Sequence, residues 1–189
     1  MSNICDKTLA HAITVNCEEI GKGYYSEAVL INFDDIVAVD KDSVDNNIIK
    51  GITIASGKTG YSCQQLAKGA FNGSNSSLEV GDTVNTFTHQ LQFRVYGGGL
   101  DQIAVINELA NASLVAIVKE KGVAPEARYK IYGLNNGLTA SEISREVAGD
   151  EGNIATITVE ETDSFTIANI FWAEDAENTE KEFRALMGK

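Results

Sequence analysis

Residues 83–96 read TVNTFTHQLQFRVY. Phe87, Leu91, Phe93 and Val95 fall on one face with His89 among them, while Thr86, Thr88, Gln90, Gln92 and Arg94 fall on the other. Successive side chains of a strand point to opposite faces, so this alternation specifies a long antiparallel strand with one buried and one wet face. Its length exceeds the usual run of about five or six residues, so the strand is expected to extend past the body of the domain. Gly81-Asp82 just before it is a hairpin-turn signal, which places the preceding strand within residues 61–80.

The rest of the chain also reads as mostly β, punctuated by Gly, Asn and Asp; Pro125 is the sole proline. Residues 48–56 read as a strand, as do 113–119 (SLVAIVK), 127–132 (ARYKIY), 142–147, 153–161 (NIATITVEE) and 165–172 (FTIANIFW). The 113–119 run is nearly continuous in apolar residues, which marks a central strand. Turns are expected at Gly122-Val123-Ala124-Pro125, Asn135-Asn136-Gly137 and Gly149-Asp150-Glu151-Gly152. Ile103, Ile106, Asn107 and Ala110 recur at helical spacing, predicting a short helix over 100–111 that ends at Asn111. A terminal amphipathic helix over 175–187 carries Phe183 and Met187 on one face, with Thr179 and Glu182 at capping-box spacing. The small polar run Phe71-Asn72-Gly73-Ser74-Asn75-Ser76-Ser77 reads as a surface loop or a hairpin arm, and residues 34–47 as an exposed acidic loop.

Catalytic and binding motifs are absent or miss their geometry. Residues 51–62, GITIASGKTGYS, approach a phosphate-binding loop, but Gly51 and Gly57 enclose five residues where the motif needs four. The enclosed Ile52-Thr53-Ile54 prefers an extended strand to the tight curl that phosphate demands. Asp40-Lys41-Asp42-Ser43-Val44-Asp45 places its third acid one position late for a calcium loop and lacks the Gly and terminal Glu. Cys5, His11 and Cys17 are spaced too widely for zinc and lack a fourth ligand. His89 sits on the apolar face of its strand and reads as a hydrogen-bonded core residue. No Gly-x-Ser-x-Gly elbow occurs. No catalytic, cofactor or metal residues are expected, and the chain reads as a protein that works by surface and symmetry.

A chain of 189 residues with net charge −12 is one domain whose acidity argues against gripping nucleic acid. Three cysteines at wide spacing fit reduced thiols, and no apolar run is long enough to span a membrane. The opening MSNICDKTLAH has no basic start followed by an apolar block, so a product kept in the cytoplasm is expected.

The order of elements resembles the tail tube proteins of long-tailed bacteriophages, especially phages of Bacteroidetes-type hosts. The residues that carry the likeness span about 13–172. They are Ile13-Thr14-Val15-Asn16-Cys17, Val29-Leu30-Ile31-Asn32-Phe33-Asp34-Asp35, the strand 86–95 leading through glycines into the helix, residues 114–119, Tyr129–Leu138 and Ala155–Glu161. The resemblance, which extends to the tubes of contractile machines and type VI secretion, implies two packed antiparallel sheets, sandwich- or barrel-like, with a flanking helix. It implies a tube domain over 1–173 and a helical tail over 174–189, the tail departing from a minimal tube subunit. It also implies six-membered rings that stack into a hollow tube, a virion structural role without enzymatic activity, and assembly in the host bacterial cytoplasm. The partners would be further copies of the chain and other tail proteins (tape measure, terminator, baseplate), with DNA passing through unbound.

On that reading Thr86, Thr88, Gln90 and Gln92 face the lumen, where weakly interacting groups let DNA slide, and Arg94 sits near an end or beside an acid. A hairpin carrying Phe71, Asn72, Gly73, Ser74 and Asn75 would hold one ring to the next. The competing readings are a head–tail connector or capsid decoration protein, which would not grow into open filaments, and a soluble β-rich ligand-binding domain, which would show a concave pocket.

Overall fold

The computed structural model describes residues 12–13, 21–147 and 152–188. The alternating segment is strand β6 (Thr86–Tyr96), and its inward residues His89, Leu91 and Phe93 are buried while its polar residues stay half-exposed. The other strands are β1 (Tyr24–Asn32), β2 (Ile36–Lys41), β3 (Ile48–Ile54), β4 (Tyr61–Gln64), β5 (Asn75–Glu79), β7 (Ser113–Glu120), β8 (Tyr129–Tyr132), β9 (Leu138–Glu146), β10 (Ile154–Ser164) and β11 (Asn169–Phe171). Two helices, α1 (Leu100–Leu109) and α2 (Ala176–Ala185), complete the described residues. The protein is mainly β with flanking helices.

All strands belong to one hydrogen-bonded network in the order β2-β3-β11-β8-β7-β9-β10-β6-β5, with β1 beside β7 and β4 beyond β1. Every pairing is antiparallel except β3 with β11. The network bends into two layers because β8 and β9 follow one another along the same side of β7. Tyr132 pairs with Ala116 and Leu138 with Leu114, with residues 133–137 looping out between them. Beyond that point β9 leaves β7 and pairs with β10. Thus β2, β3, β11, β8, β7, β1 and β4 make one layer, and β9, β10, β6 and β5 make the other.

The nearly unbroken apolar runs of β1 and β7 follow from burial on both faces. Ala28, Leu30, Leu114, Ala116 and Val118 point toward Leu91, Phe93, Ala155, Ile157 and Val159 of the second layer. The alternate residues Val29, Ile31, Val115 and Ile117 point the other way, against Phe183, Leu186 and Met187 at the C-terminal end. Helix α2 therefore covers the outer face of the first layer. Removing an aromatic ring as buried as Phe183 typically costs ~3–5 kcal/mol.

Docking of α2 is reinforced at both ends. Glu180 accepts from Lys119 Nζ at 3.0 and 2.8 Å and from the Tyr129 hydroxyl, and Arg184 lies 2.7 Å from it. Burial alone would raise the Glu180 pKa, but the Lys119 and Tyr129 hydrogen bonds hold it below the ordinary glutamate value. At the far end Gly60 N–H donates to Leu186 O at 2.8 Å, and a Cβ there would meet that oxygen and Val29 at 2.9 Å. Only glycine permits this approach. The helix N-cap is Asp175, whose carboxylate accepts Asn178 N–H at 2.7 Å. Thr179 does not cap: its hydroxyl is turned back to accept Ala173 N–H and to donate to Asp175 O.

The Gly51–Ser62 segment is a strand, a turn and a second strand. β3 ends at Ile54, Gly57 takes φ +79, Lys58 pairs with Asp35 at 3.3 Å, and β4 begins at Tyr61. Residues 34–47 are not a loop throughout. Residues 36–41 form edge strand β2, and Asp42 closes the turn after it by accepting the N–H groups of Val44 and Asp45. Lys50 beside Asp42, with those two N–H groups, brings its pKa down to about 2. Asp35, Asp42 and Asp45 each have a local task in shaping a turn or pairing with a lysine.

Candidate assembly surface

The outward face of the second layer is polar across four strands in register. Gln92 lies opposite Thr158, which lies opposite Glu142; Arg94, Thr156 and Ser144 form the next row. Gln90 lies between Glu160 and Asn75, Thr88 opposite Ser77 and Thr86 opposite Glu79. The rows are tied by side-chain bonds, with Asn75 Nδ2 donating to Gln90 Oε1 at 2.9 Å and Gln92 Nε2 to Thr158 Oγ1 at 3.3 Å. Thr86, Thr88, Gln90 and Gln92 therefore share one continuous face, and Arg94 shares it near the end of β6. Glu79, Glu142, Glu146 and Glu160 stand on it against the single guanidinium of Arg94. Such a surface offers phosphate little attraction.

The edge of β6 opposite β10 is divided. Residues 86–90 pair with β5, whose own outer edge has no strand partner among the described residues. Beyond Gln90 the partner is a pair of side chains. Gln65 Oε1 accepts Arg94 N–H at 2.8 Å while its Nε2 donates to Arg94 O at 3.0 Å, and Ser74 Oγ accepts Gln92 N–H at 2.9 Å. A primary amide presents the same acceptor and donor as a peptide group, so Gln65 stands in for one residue of a strand. It also shields a segment of edge that would otherwise invite pairing with another chain. Gln65 gives no signal in the sequence, being one polar residue in a polar stretch.

The five hairpin residues divide between the core and the edge. Phe71 is only 1% exposed and packs edge-to-face on Tyr24 at 6.0 Å, so it anchors the segment in the core instead of standing on an arm. Asn72 and Gly73 form an exposed turn, Ser74 caps β6, and Asn75 begins β5. The tip of the β5–β6 hairpin is residues 80–85. There and beside it Leu78, Val80, Val84, Phe165 and Ile167 are exposed.

The inner side of β6 holds a buried polar chain. His89 Nδ1 lies 2.9 Å from Ser76 Oγ, its Nε2 lies 2.9 Å from Thr166 O, and Tyr132 tilts against the ring at 5.3 Å. Because a carbonyl can only accept, Nε2 carries the proton and Nδ1 accepts from Ser76. Burial lowers the His89 pKa, partly offset by Glu161, whose Oε2 is 4.0 Å away, and by the bond to Thr166. Glu161 is itself 2% exposed and committed elsewhere: it accepts Gly133 N–H at 2.9 Å and the N–H groups of Asn135 and Asn136 at 3.0 Å each. Serine, histidine and glutamate thus meet, yet each is engaged by backbone or core, consistent with a structural assignment for His89.

A groove of about 660 Å³ opens between α1 and β4. Leu30, Phe93, Val95, Leu109 and Leu114 line its apolar part together with Cys63, whose thiol burial pushes up to about 12. A thiol so far from ionisation is a poor nucleophile. Tyr61, Leu66, Leu100 and Val105 around this end are exposed.

Cys5, His11 and Cys17 lie outside the described residues, as does most of the expected turn at 149–152. Among the described residues no group of three His, Cys, Asp or Glu side chains is arranged to hold a metal, and no helix is long and apolar enough to cross a membrane. No protein-family model, curated protein or solved structure matches the chain.

Proposed function

We propose that the protein is a self-assembling structural subunit of a hollow tube, of the kind that forms bacteriophage tail tubes, and that it has no enzymatic activity. In this reading copies join into rings, the rings stack, and DNA passes through without specific binding. The assembly would form in the host bacterial cytoplasm and reside in the virion tail beside tape-measure, terminator and baseplate proteins. One observation carries it: a polar face, poor in cations, runs in register over four strands and ends at β5, an edge strand with no strand partner among the described residues. Open edges are satisfied when head-to-tail contacts close a ring, while the contacts that stack one ring on the next are also heterologous, need not close and so can propagate. The resemblance of the element order to tail tube proteins supports the same reading.

Negative-stain microscopy of concentrated protein tests it, with stacked hollow rings as the expected result. Thr88→Cys and Gln90→Cys variants add the orientation: their thiols resist a bulky reagent in assembled tubes and react in free subunits. Equal reactivity in both states refutes the lumen assignment. The groove between α1 and β4 favours a second reading, a β-rich ligand-binding domain, for which the protein stays monomeric at every concentration.

A further inference from the structure

We propose that Asn72 is a site of spontaneous covalent modification, at which loss of its side-chain amide converts the residue to isoaspartate and uncovers the edge of β6 at Gln92. This holds whether or not copies assemble into a tube. The sequence contains two Asn-Gly pairs, Asn72-Gly73 and Asn136-Gly137. A glycine after asparagine leaves the peptide nitrogen unhindered, so that it can attack the neighbouring side-chain carbonyl. The fold treats the two pairs oppositely.

Asn136 is locked. Its Nδ2 donates to Thr162 O at 2.8 Å, its N–H to Glu161 Oε1 at 3.0 Å, and Gly137 N–H donates to Gly133 O at 3.0 Å. Gly137 is also buried, and a Cβ there would fall 2.0 Å from Ser113 Oγ. Asn72 and Gly73 are both exposed, and neither the Asn72 side chain nor the Gly73 N–H has a hydrogen-bond partner among the described residues. They occupy the two central positions of a turn closed by Ser74 N–H donating to Phe71 O at 3.3 Å. Gly73 stands at φ +98, a conformation that calls for glycine, so the turn itself fixes the residue that makes Asn72 reactive. With Ser74 the pair lines a cavity of about 590 Å³ open to solvent, where Lys22 and Lys121 outnumber Glu120 and favour developing negative charge.

The chemistry needs only water. Gly73 N, once hydroxide takes its proton, bonds to Asn72 Cγ; the Cγ–Nδ2 bond breaks, and ammonia leaves with a proton from water, giving a five-membered imide. Water then opens the ring. Cleavage of the new N–Cγ bond gives aspartate, whereas cleavage of the original peptide C–N bond routes the main chain through Cγ and gives isoaspartate. One water is consumed and one ammonia released, with no change of oxidation state. Isoaspartate adds a carboxylate and lengthens the main chain by one carbon. On one side of that insertion Phe71 is fixed in the core, and on the other Ser74 Oγ accepts Gln92 N–H at 2.9 Å. The added length falls on Ser74, and its release uncovers the edge of β6 beyond Gln90.

Incubation of the full chain in mildly alkaline buffer made with heavy-oxygen water tests the site, with labelled peptides located by mass spectrometry and isoaspartate distinguished by electron-transfer fragmentation. Conversion at Asn72 should outpace that at Asn136 by at least about tenfold, which corresponds to ~1.4 kcal/mol of protection at the locked pair. In denaturant the two pairs should convert at comparable rates. The converted protein, separated by its added charge, should exchange the Gln92 amide in deuterium oxide at least about tenfold faster than the unmodified chain. Asn72→Asp brings the charge without the extra carbon and should leave that exchange unchanged. Conversion at Asn72 no faster than at Asn136 in the folded protein, or a preference that persists undiminished in denaturant, would overturn the assignment. Unchanged exchange at Gln92 in the converted protein would overturn its effect on the edge.

Discussion

Glu161→Ala is the substitution whose effect the fold most sharply determines. The carboxylate is buried and receives three backbone N–H groups from the 133–137 loop, where the chain passes from β8 into β9. Hydrogen bonds to a charged group are each worth roughly 1.5–3 kcal/mol when buried and less when water can replace the partner. The Gly133 N–H is buried and loses the full amount; those of Asn135 and Asn136 are partly exposed and lose about 1 kcal/mol each. The expected destabilisation is therefore about 3–5 kcal/mol, a large share of the ~5–15 kcal/mol that holds a domain together. At roughly 2–4 °C per kcal/mol for a chain of this size, the midpoint falls by about 6–20 °C. Glu161→Gln should lose less, because one amide oxygen can still receive Asn135 and Asn136 while its NH₂ opposes Gly133. Thermal denaturation checks both variants, and hydrogen exchange at residues 133, 135 and 136 localises the change. A loss under about 1 kcal/mol for the alanine variant would refute the assignment of this carboxylate as the support of the crossing.

Two further outcomes follow from the site. Gln65→Ala removes the side chain that covers Arg94 N–H and O, so it should destabilise by about 1–3 kcal/mol and increase aggregation at neutral pH; light scattering and denaturant titration measure the two, and an unchanged aggregation rate contradicts the edge-shielding role. His89 has its folded pKa below the ordinary value, so the unfolded chain binds the proton first as pH falls. Stability present above about pH 6.5 is then lost as the pH drops toward the folded value, with Ser76, Tyr132, Glu161 and Thr166 O facing the ring. His89→Gln should flatten that part of the stability–pH curve, and a curve of unchanged slope refutes the idea.

The legible parts of the fold were those where burial imposes a repeat. β6 alternates because one face is wet, and β7 is uniformly apolar because neither is. β2 and β4 have one strand neighbour each among the described residues, so little in their residues separates them from loops. β11 is three residues long, and its parallel union with β3 leaves no mark in either segment. Phe71 was hidden by composition: six small or polar neighbours outweigh one aromatic, although a lone aromatic in such a run is itself a sign of anchoring. The polar face of β6 could be read from alternation, whereas its extension across β10, β9 and β5 depends on register. The stand-in role of Gln65 needs a tertiary approach to Arg94 that no local pattern encodes.

Because the β8–β9 run lies along β7 before turning away to β10, neither layer can be lifted off without tearing backbone pairs in the other. The two are consequently one cooperative unit: disruption on either side should spread through the crossing, and the chain should melt in a single step. The shared strand run joins the two sheets like welded plates, so force applied to one side is borne by both.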